Sequence, residues 1–372
     1  MSWDIAGLAN AATAKLRAYD PGHDLPALRH QHGERLIELG SNETSLGASP
    51  AVAAAITAAL PDIYRYPDPK GGALKCALAA HLAVEPAQIA LGNGSHELLM
   101  LLAQCFADAK TSVVYSQYGF AVFSIATAAA GAQAVCVPAL PADHPSAPLG
   151  HDLDAMAAAV RPDTRLLYVA NPNNPTGTWF DDAALDRFLQ RLPAHLVVVV
   201  DEAYAEYVTT PGTGSAVRLL RNGGRQQPNL IVTRTFSKAY ALAGLRVGYA
   251  VGSVGAIAVV ERLRESFNVN SLALVAAEAA LADVAHAQRI RDHTAIEREW
   301  LADRLRALGL RVFPSQTNFL LVDFGREAGE IETQLFRHAV VVRPMAGYGL
   351  PTCLRISIGT RAESERLLEA LA

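Results

Sequence analysis

Short apolar runs alternate with longer, alanine-rich or amphipathic segments up to about residue 267. The longer segments predict helices at 51–60, 72–82 and 97–107, and the apolar runs predict strands at 112–115, 134–137, 166–169, 196–200 and 230–233. Near-continuous Val, Leu and Ile runs separated by helices are typical of a mostly parallel sheet that is buried on both faces. We therefore expect an α/β fold, with this sheet and its flanking helices in a large domain.

The pattern changes after about residue 267. A charge-rich helical region at 276–308 is followed by strand candidates and a closing helix, at 312–313, 319–324, 340–342, 354–358 and 362–371. This order predicts a smaller α+β domain over 268–372. The N-terminal arm, residues 1–40, is expected to pack with that domain, which leaves 41–267 as the large domain.

Composition narrows the class of protein. The chain has 372 residues, 51% of them hydrophobic and 18% charged, and a formal net charge of −4 at pH 7. That balance, without a long basic run, argues against nucleic-acid binding as the main activity. The four cysteines have no CxxC spacing, so neither a metal site nor a disulfide framework is expected. The chain shows neither a signal-peptide pattern nor an apolar run long enough for a bilayer, so we expect a cytoplasmic protein without membrane contact.

The most informative polar stretch is 235–249, between two apolar segments. Lys238 directly follows Ser237, Thr235 comes shortly before them, and Arg246 stands eight positions after Lys238. A lysine amine can form an imine with an aldehyde, while hydroxyls and a guanidinium can hold a phosphate. Pyridoxal 5′-phosphate (PLP) carries both groups. Because an isolated Ser-Lys pair is usually a solvated surface feature, this interpretation depends on the rest of the chain.

Polar groups also follow two of the predicted strands. Asp201 comes directly after the strand at 196–200, at the sheet edge where open α/β sheets bind ligands. An aspartate that faces the pyridine nitrogen would keep the ring protonated and able to accept electrons. In the Pro-rich turn 171–177, Asn174 can donate a hydrogen bond to the PLP phenolate oxygen, and Tyr204 can donate a second. Taken singly, each residue is also compatible with an ordinary turn.

Three more segments offer contacts to a cofactor. Ser95 and the backbone of His96 lie where a helix begins, and N–H groups at a helix start favour a phosphate, although Ser95 is also an ordinary N-cap. Tyr118, just beyond a strand end, can stack on the pyridine face or simply pack. Tyr66 belongs to a loop rich in aromatics and prolines, which we expect to be exposed and to reach a neighbouring subunit.

Nearly end to end, the chain resembles the fold-type I, aspartate-aminotransferase-like PLP enzymes, and within them it is most similar to the histidinol-phosphate aminotransferases. The resemblance rests on the stretches 18–22, 39–43, 66–68, 171–177, 201–204, 235–249, 342–351 and 354–360. It implies that Lys238 bonds to the cofactor and moves the substrate proton, and that Asp201 pairs with the ring nitrogen. It assigns the other cofactor contacts to Asn174, Tyr204, Ser95, His96, Thr235, Ser237, Arg246, Tyr118 and, from the partner subunit of a homodimer, Tyr66.

The same resemblance implies the substrates. Arg355 matches an arginine that binds the carboxylate of the amino donor, and Arg355 and Arg343 would together face a substrate phosphate. Tyr19 and Asn42 would form part of the pocket wall. The expected reaction is a ping-pong transamination between L-histidinol phosphate and 2-oxoglutarate, which gives imidazole-acetol phosphate and L-glutamate in histidine biosynthesis.

Selectivity stays open at this point. The chain departs from the common family pattern at 94–97 and at 42–45, near the cofactor or the pocket mouth. An aromatic amino-acid aminotransferase uses the same machinery with a different pocket, and a related branch decarboxylates threonine phosphate. A non-catalytic PLP-fold regulator would need a fused DNA-binding domain, for which residues 1–40 are too short, and it would not require Lys238.

Overall fold

Three sheets organise the computed structural model, which describes residues 5–16, 22–224 and 227–372. The helices are α1 (Leu25–His32), α2 (Pro50–Ala59), α3 (Gly72–Leu82), α4 (Ser95–Phe106), α5 (Ala121–Ala129), α6 (Leu153–Ala158), α7 (Asp182–Gln190), α8 (Val254–Leu263), α9 (Ser271–Ala282), α10 (Val284–Ala307), α11 (Ala328–Arg337) and α12 (Arg361–Leu371). The strands are β1 (Ile37–Glu38), β2 (Ile89–Gly92), β3 (Ser112–Ser116), β4 (Gln133–Val137), β5 (Thr164–Ala170), β6 (Val197–Asp201), β7 (Leu230–Thr235), β8 (Gly248–Gly252), β9 (Arg311–Val312), β10 (Phe319–Asp323), β11 (Val340–Val341), β12 (Arg343–Pro344) and β13 (Cys353–Ser357).

The largest sheet has seven strands in the order β2-β8-β7-β6-β5-β3-β4. The five strands from β7 to β4 run parallel, whereas β8 is antiparallel to both of its neighbours. Residues of β6 alternate between two apolar clusters, with Val198 and Val200 in one and Val199 in the other. Helices cover both faces, since Leu78 of α3 packs in the first cluster and Phe123 of α5 in the second. The predicted mostly parallel sheet flanked by helices is confirmed.

The sequence pattern does not give clear bounds for two strands of this sheet. β2 has only four residues, and β8 begins and ends with glycine, so neither shows a long β-branched run. The helical region predicted at 276–308 is two helices, α9 and α10. They meet at Asp283, whose carboxylate accepts a hydrogen bond from the backbone N–H of His286 and caps the start of α10.

The remaining sheets are built from the C-terminal part of the chain together with β1. β12, β13, β10 and β9 form an antiparallel sheet, and β1 pairs in parallel with β11 through Ile37 and Val340. A separate apolar cluster joins Leu39 to Leu335 of α11 and Ile356 of β13. The domain boundaries at 41 and 268 stay predictions. Across the described parts of the chain, no helix has both the length and the apolar character that crossing a membrane requires.

Candidate active site

A cavity of about 1290 Å³ opens where the parallel strands β5, β6 and β7 end. Its wall also takes residues from the start of α4, from the antiparallel sheet and from the segment that follows β1. Twelve residues singled out in the sequence line it together: Asn42, Ser95, His96, Asn174, Asp201, Tyr204, Thr235, Ser237, Lys238, Arg246, Arg343 and Arg355.

Two other candidates, Tyr118 and Tyr66, are not among the described residues that line this cavity, and a third lies outside the described part of the chain. The backbone carbonyl of Tyr118 accepts a hydrogen bond from Asn173, and its side chain packs against the apolar cluster around Phe313 rather than lining the cavity. Tyr66 is 83% exposed and stacks on Phe267, with ring centroids 4.7 Å apart. Tyr19 lies outside the described residues.

Asp201 is placed by the end of an apolar strand. Four valines fill β6, and Asp201 at its carboxyl end is only 4% exposed. The hydroxyl of Thr233, on neighbouring β7, donates to its Oδ1 over 2.9 Å. Burial raises the pKa of Asp201 to about 6 against the opposing effect of this hydrogen bond. The next carboxylate, Glu202, lies outside the cavity wall and forms an ion pair with Arg234.

The Lys238 amine faces two backbone carbonyls. Its Nζ donates to the oxygens of Ser41 and Asn42 over 3.1 and 3.0 Å. The loss of water around it, with the nearby positive charge of Arg355, lowers the pKa of Lys238 to about 7. A substantial fraction of this lysine is therefore an uncharged, nucleophilic amine at neutral pH.

A hydrogen-bonded chain connects the pocket wall to the antiparallel sheet. Asn42 Nδ2 donates to the hydroxyl of Tyr204 over 2.9 Å, and Arg355 Nη1 donates to Asn174 Oδ1 over 2.7 Å. The other end of the guanidinium donates to the carbonyl of Gly40 over 2.8 Å. Burial raises the pKa of Tyr204 to about 12, so its hydroxyl keeps its proton and can donate. These contacts hold Arg355 and Asn174 in one orientation each.

A cup of backbone and cationic groups forms at the start of α4. Arg246 adopts a left-handed backbone with φ 58°, and its guanidinium donates to the hydroxyl of Ser237 over 3.2 Å. A Cβ atom on Gly94 would lie 2.4 Å from Arg246 Nη2, and one on Gly248 would lie 2.5 Å from the backbone nitrogen of Ser95. Only glycine allows this close approach. A helix start, a hydroxyl and a guanidinium thus meet around a space suited to a phosphate.

Several contributors were absent from the sequence reasoning. Thr233 could have been found, because it ends the predicted strand at 230–233 beside the strand that carries Asp201. His23 and Glu332 line the cavity from segments 309 residues apart, and only the three-dimensional structure brings them together. Tyr348 also lines it, and its hydroxyl accepts a hydrogen bond from the backbone N–H of Ala121.

Comparison with protein families gives one match. The family described as aminotransferase class I and II matches residues 34–371. Among curated proteins, histidinol-phosphate aminotransferase 2 of Pseudomonas aeruginosa is 46% identical over 374 residues, which cover 99% of this chain and 98% of that protein. Histidinol-phosphate aminotransferase 1 of Idiomarina loihiensis is 42% identical over 365 residues, with 98% and 96% of the two chains covered.

Solved structures agree with this match. The histidinol-phosphate aminotransferase from Sinorhizobium meliloti, crystallised in complex with pyridoxal-5′-phosphate, superposes with a TM-score of 0.85 at 33% identity and covers 98% of this chain and 96% of its own. The L-threonine-O-3-phosphate decarboxylase from Porphyromonas gingivalis has a TM-score of 0.76 at 22% identity, with 90% of this chain and 98% of its own covered. The second likeness shows the shared fold alone.

Proposed function

The chain belongs to the class I and II aminotransferase family, and on that premise we propose that it transfers the amino group of L-histidinol phosphate to 2-oxoglutarate with PLP as cofactor. The products are imidazole-acetol phosphate and L-glutamate, in a step of histidine biosynthesis. One observation carries the proposal: Lys238, Asp201 and the two arginines Arg343 and Arg355 line a single cavity. The similarity to curated histidinol-phosphate aminotransferases supports the choice of substrate.

The residues present match the chemical groups of PLP. Asp201 is a buried carboxylate whose raised pKa makes a cation beside it favourable, which suits a protonated pyridine nitrogen. The cup at Ser95, with Arg246 and the helix start, suits the phosphate. Asn174 accepts from Arg355 through Oδ1, which leaves its Nδ2 to donate to the ring oxygen beside the Tyr204 hydroxyl. We therefore assign these contacts to the cofactor.

Lys238 does the proton transfer in this proposal. When bound, PLP supplies an aldehyde that links to amines and a protonated ring that accepts the electron pair from the substrate α-carbon. The Lys238 amine, with its pKa near neutrality, would take the proton from that carbon and deliver it to the cofactor carbon that carried the aldehyde, and the opposite half-reaction would move it back. Asp201 keeps the ring nitrogen protonated throughout, because burial makes its charge strongly dependent on a facing cation.

Two arginines let one site accept two anions. Arg355 is fixed by Asn174 and Gly40, so its guanidinium offers a preset fork to a carboxylate or a phosphate. Arg343 lies beside it on β12, directly opposite Arg355 in the antiparallel pairing. A phosphate in one half-reaction and one carboxylate of glutamate in the other use the same pair of cations. We propose Asn42, which lines the cavity, as a pocket-wall residue. Tyr19 is proposed for the same role from the sequence resemblance alone.

We also propose a homodimer in which Tyr66 of one subunit contacts the cofactor phosphate of the other. Tyr66, Tyr64 and Ile63 are exposed by 59 to 83%, and they form an apolar surface next to Phe267. Sedimentation of the purified protein tests this assignment. A fully active monomer would contradict it, whereas a Tyr66→Phe dimer with weakened cofactor retention would support it. The cytoplasmic location expected from the sequence stays a prediction.

A half-reaction spectrum tests the substrate assignment. The PLP-loaded protein is mixed separately with histidinol phosphate, phenylalanine and glutamate, and conversion to the pyridoxamine form is followed by absorbance. Fast conversion by histidinol phosphate, well above that by phenylalanine, is the expected result. A preference for phenylalanine would move the protein to the aromatic aminotransferases, and the absence of any cofactor spectrum would contradict PLP binding itself.

A further inference from the structure

The mouth of the cavity carries an ion pair that the transamination chemistry does not use. His23 Nε2 and Glu332 Oε1 lie 2.8 Å apart, and both residues line the cavity. His23 lies within the N-terminal arm, just before α1, and Glu332 belongs to α11. Their side chains are 37% and 22% exposed, and the His23 ring leans on Phe336 with centroids 5.5 Å apart.

Glu332 is out of place in a site for anions. Of the described residues that line the cavity, three carry carboxylates: Glu43, Asp201 and Glu332. Asp201 lies on the cavity floor, which is the region where the parallel strands end. The negative charge of Glu43 acts on Lys238 and opposes the lowering of its pKa by burial. Glu332 lies instead against His23, and the preceding Gly22 lies against the Arg343 guanidinium, so Glu332 belongs to the side of the cavity that carries Arg343. A bare carboxylate there would repel both a substrate phosphate and a dicarboxylate.

We propose that Glu332 recognises the imidazole ring of the substrate and that His23 occupies Glu332 whenever no imidazole substrate is bound. This inference rests on the proposed function, because only a substrate with an imidazole can replace one imidazole by another. A ring N–H of histidinol phosphate takes the position of His23 Nε2 on the carboxylate. The exchange preserves one hydrogen bond to an ionised group, so it favours imidazole substrates over phenylalanine, whose ring offers no N–H.

The same pair explains how the second substrate is tolerated. Glutamate and 2-oxoglutarate bring a carboxylate where histidinol phosphate brings a ring. With His23 back on Glu332, the carboxylate keeps a hydrogen-bond donor and is less available to repel the incoming anion. Glu332 is thus a specificity-determining residue, and His23 is its exchangeable partner.

The test compares half-reactions of the PLP-loaded full chain and of three variants, Glu332→Ala, Glu332→Gln and His23→Ala. Glu332→Ala should lower the second-order rate constant of the half-reaction with histidinol phosphate by about tenfold, because the imidazole contact is lost. The corresponding constant for glutamate should stay within about twofold of wild type. Glu332→Gln should fall between, since its amide oxygen still accepts an N–H. Glu330→Ala is the control: it removes a negative charge from the same helix at a residue that does not line the cavity. This variant should behave as wild type.

His23→Ala separates exchange from direct binding. Freed of its partner, Glu332 should bind histidinol phosphate as well as before or up to about threefold better, while the KM for 2-oxoglutarate rises by about threefold. A loss for histidinol phosphate as large as that of Glu332→Ala would overturn the exchange. Equal losses for both substrates in Glu332→Ala, or none, would overturn recognition by Glu332. A wild-type protein inert to histidinol phosphate but active with phenylalanine would overturn the proposed function and this inference with it.

Discussion

The floor and the mouth of the cavity are built in different ways. On the floor, Asp201 and Thr235 end adjacent parallel strands, so the backbone ladder fixes them before any side-chain contact forms. At the mouth, His23 and Glu332 come from an N-terminal segment and a helix far apart in sequence, and a partly exposed side-chain pair joins them. Asp201 and Thr235 are 4% and 5% exposed, whereas the side chains of His23 and Glu332 are 37% and 22% exposed.

This difference separates chemistry from selection. A buried group set by a sheet has few alternative positions, which is what proton transfer and charge stabilisation need. A partly exposed ion pair contributes little to stability and is readily exchanged for another partner. Substitutions on the floor should therefore reduce the rate with every substrate, and substitutions at the mouth should change the ratio between substrates.

The largest effect is expected from Lys238→Ala. Removal of the amine takes away the covalent attachment and the base together, so turnover should fall by more than about 10⁴-fold with either substrate. Steady-state rates with histidinol phosphate and with glutamate measure this. Lys110→Ala, an exposed lysine away from the cavity, is the control. Near-normal turnover would show that another group moves the proton.

Asp201→Asn should be next, with a loss of about 10³-fold in kcat. The amide keeps the size of the carboxylate but removes the fixed charge that stabilises a protonated ring nitrogen. Cofactor absorbance should also change, which separates this effect from unfolding. Asp303→Asn changes an exposed carboxylate and should leave both signals intact. An unchanged kcat in Asp201→Asn would mean that another group controls the ring.

The lowered pKa of Lys238 predicts how cofactor-free protein takes up PLP. Below a pKa of about 7 the amine is protonated and unreactive, and above it the neutral form dominates. The rate constant for PLP attachment should therefore rise by about tenfold from pH 6 to pH 8 and then level off. Free Nα-acetyl-lysine under the same conditions should show its midpoint near pH 10. A protein midpoint near that of the free amine would contradict the buried-lysine interpretation.

Thr233→Val should have a smaller effect on the floor. Valine keeps the shape but loses the hydrogen bond to Asp201 Oδ1, so the carboxylate is less well oriented and kcat should fall by about fivefold. Both substrates should be affected alike. Thr127→Val makes the same change at another buried threonine, on α5, and controls for stability. A fall in kcat with only one of the substrates would instead make Thr233 a specificity-determining residue.

The smallest effect is expected from the contact between Arg29 and Glu38, in the same N-terminal arm as His23. Arg29, on α1 just after His23, makes two hydrogen bonds of 2.5 and 2.6 Å to Glu38, and its side chain is 55% exposed. Arg29→Ala should leave kcat within about twofold and lower the free energy of unfolding by less than about 1 kcal/mol. Chemical denaturation and steady-state kinetics measure the two quantities. A tenfold fall in kcat would show that the mouth takes part in the chemistry.

The same contrast decides what the sequence could predict. The floor was readable, because Val-rich runs identify buried parallel strands and polar residues after them must meet at one edge. Asp201 and Lys238 were found in this way, with help from the family resemblance. β8 was missed because it begins and ends with glycine and has no long β-branched run, and its antiparallel direction is set by pairing with β2 and β7, which no local pattern records.

The mouth was not readable. No periodicity relates His23 to Glu332, and a lone histidine or an acidic residue on a helix is an ordinary surface feature. The stacking of Tyr118 on the cofactor ring stays a prediction. Its contact with the cluster around Phe313 depends on the antiparallel sheet and could not be predicted from the sequence. Contacts between distant segments required the structure.

Gly248 limits which substitutions the floor of the cavity can tolerate. A side chain there would collide with the backbone of Ser95 and with the carbonyl of Arg234, so no single substitution at this position can be absorbed by a rotamer change. In a library of random variants, position 248 should return only glycine, while Gly244 and Gly255, where a Cβ would meet open space, should accept alanine. The phosphate cup therefore cannot change by stepwise substitution at Gly248, and changes in substrate range should arise by mutation at the mouth.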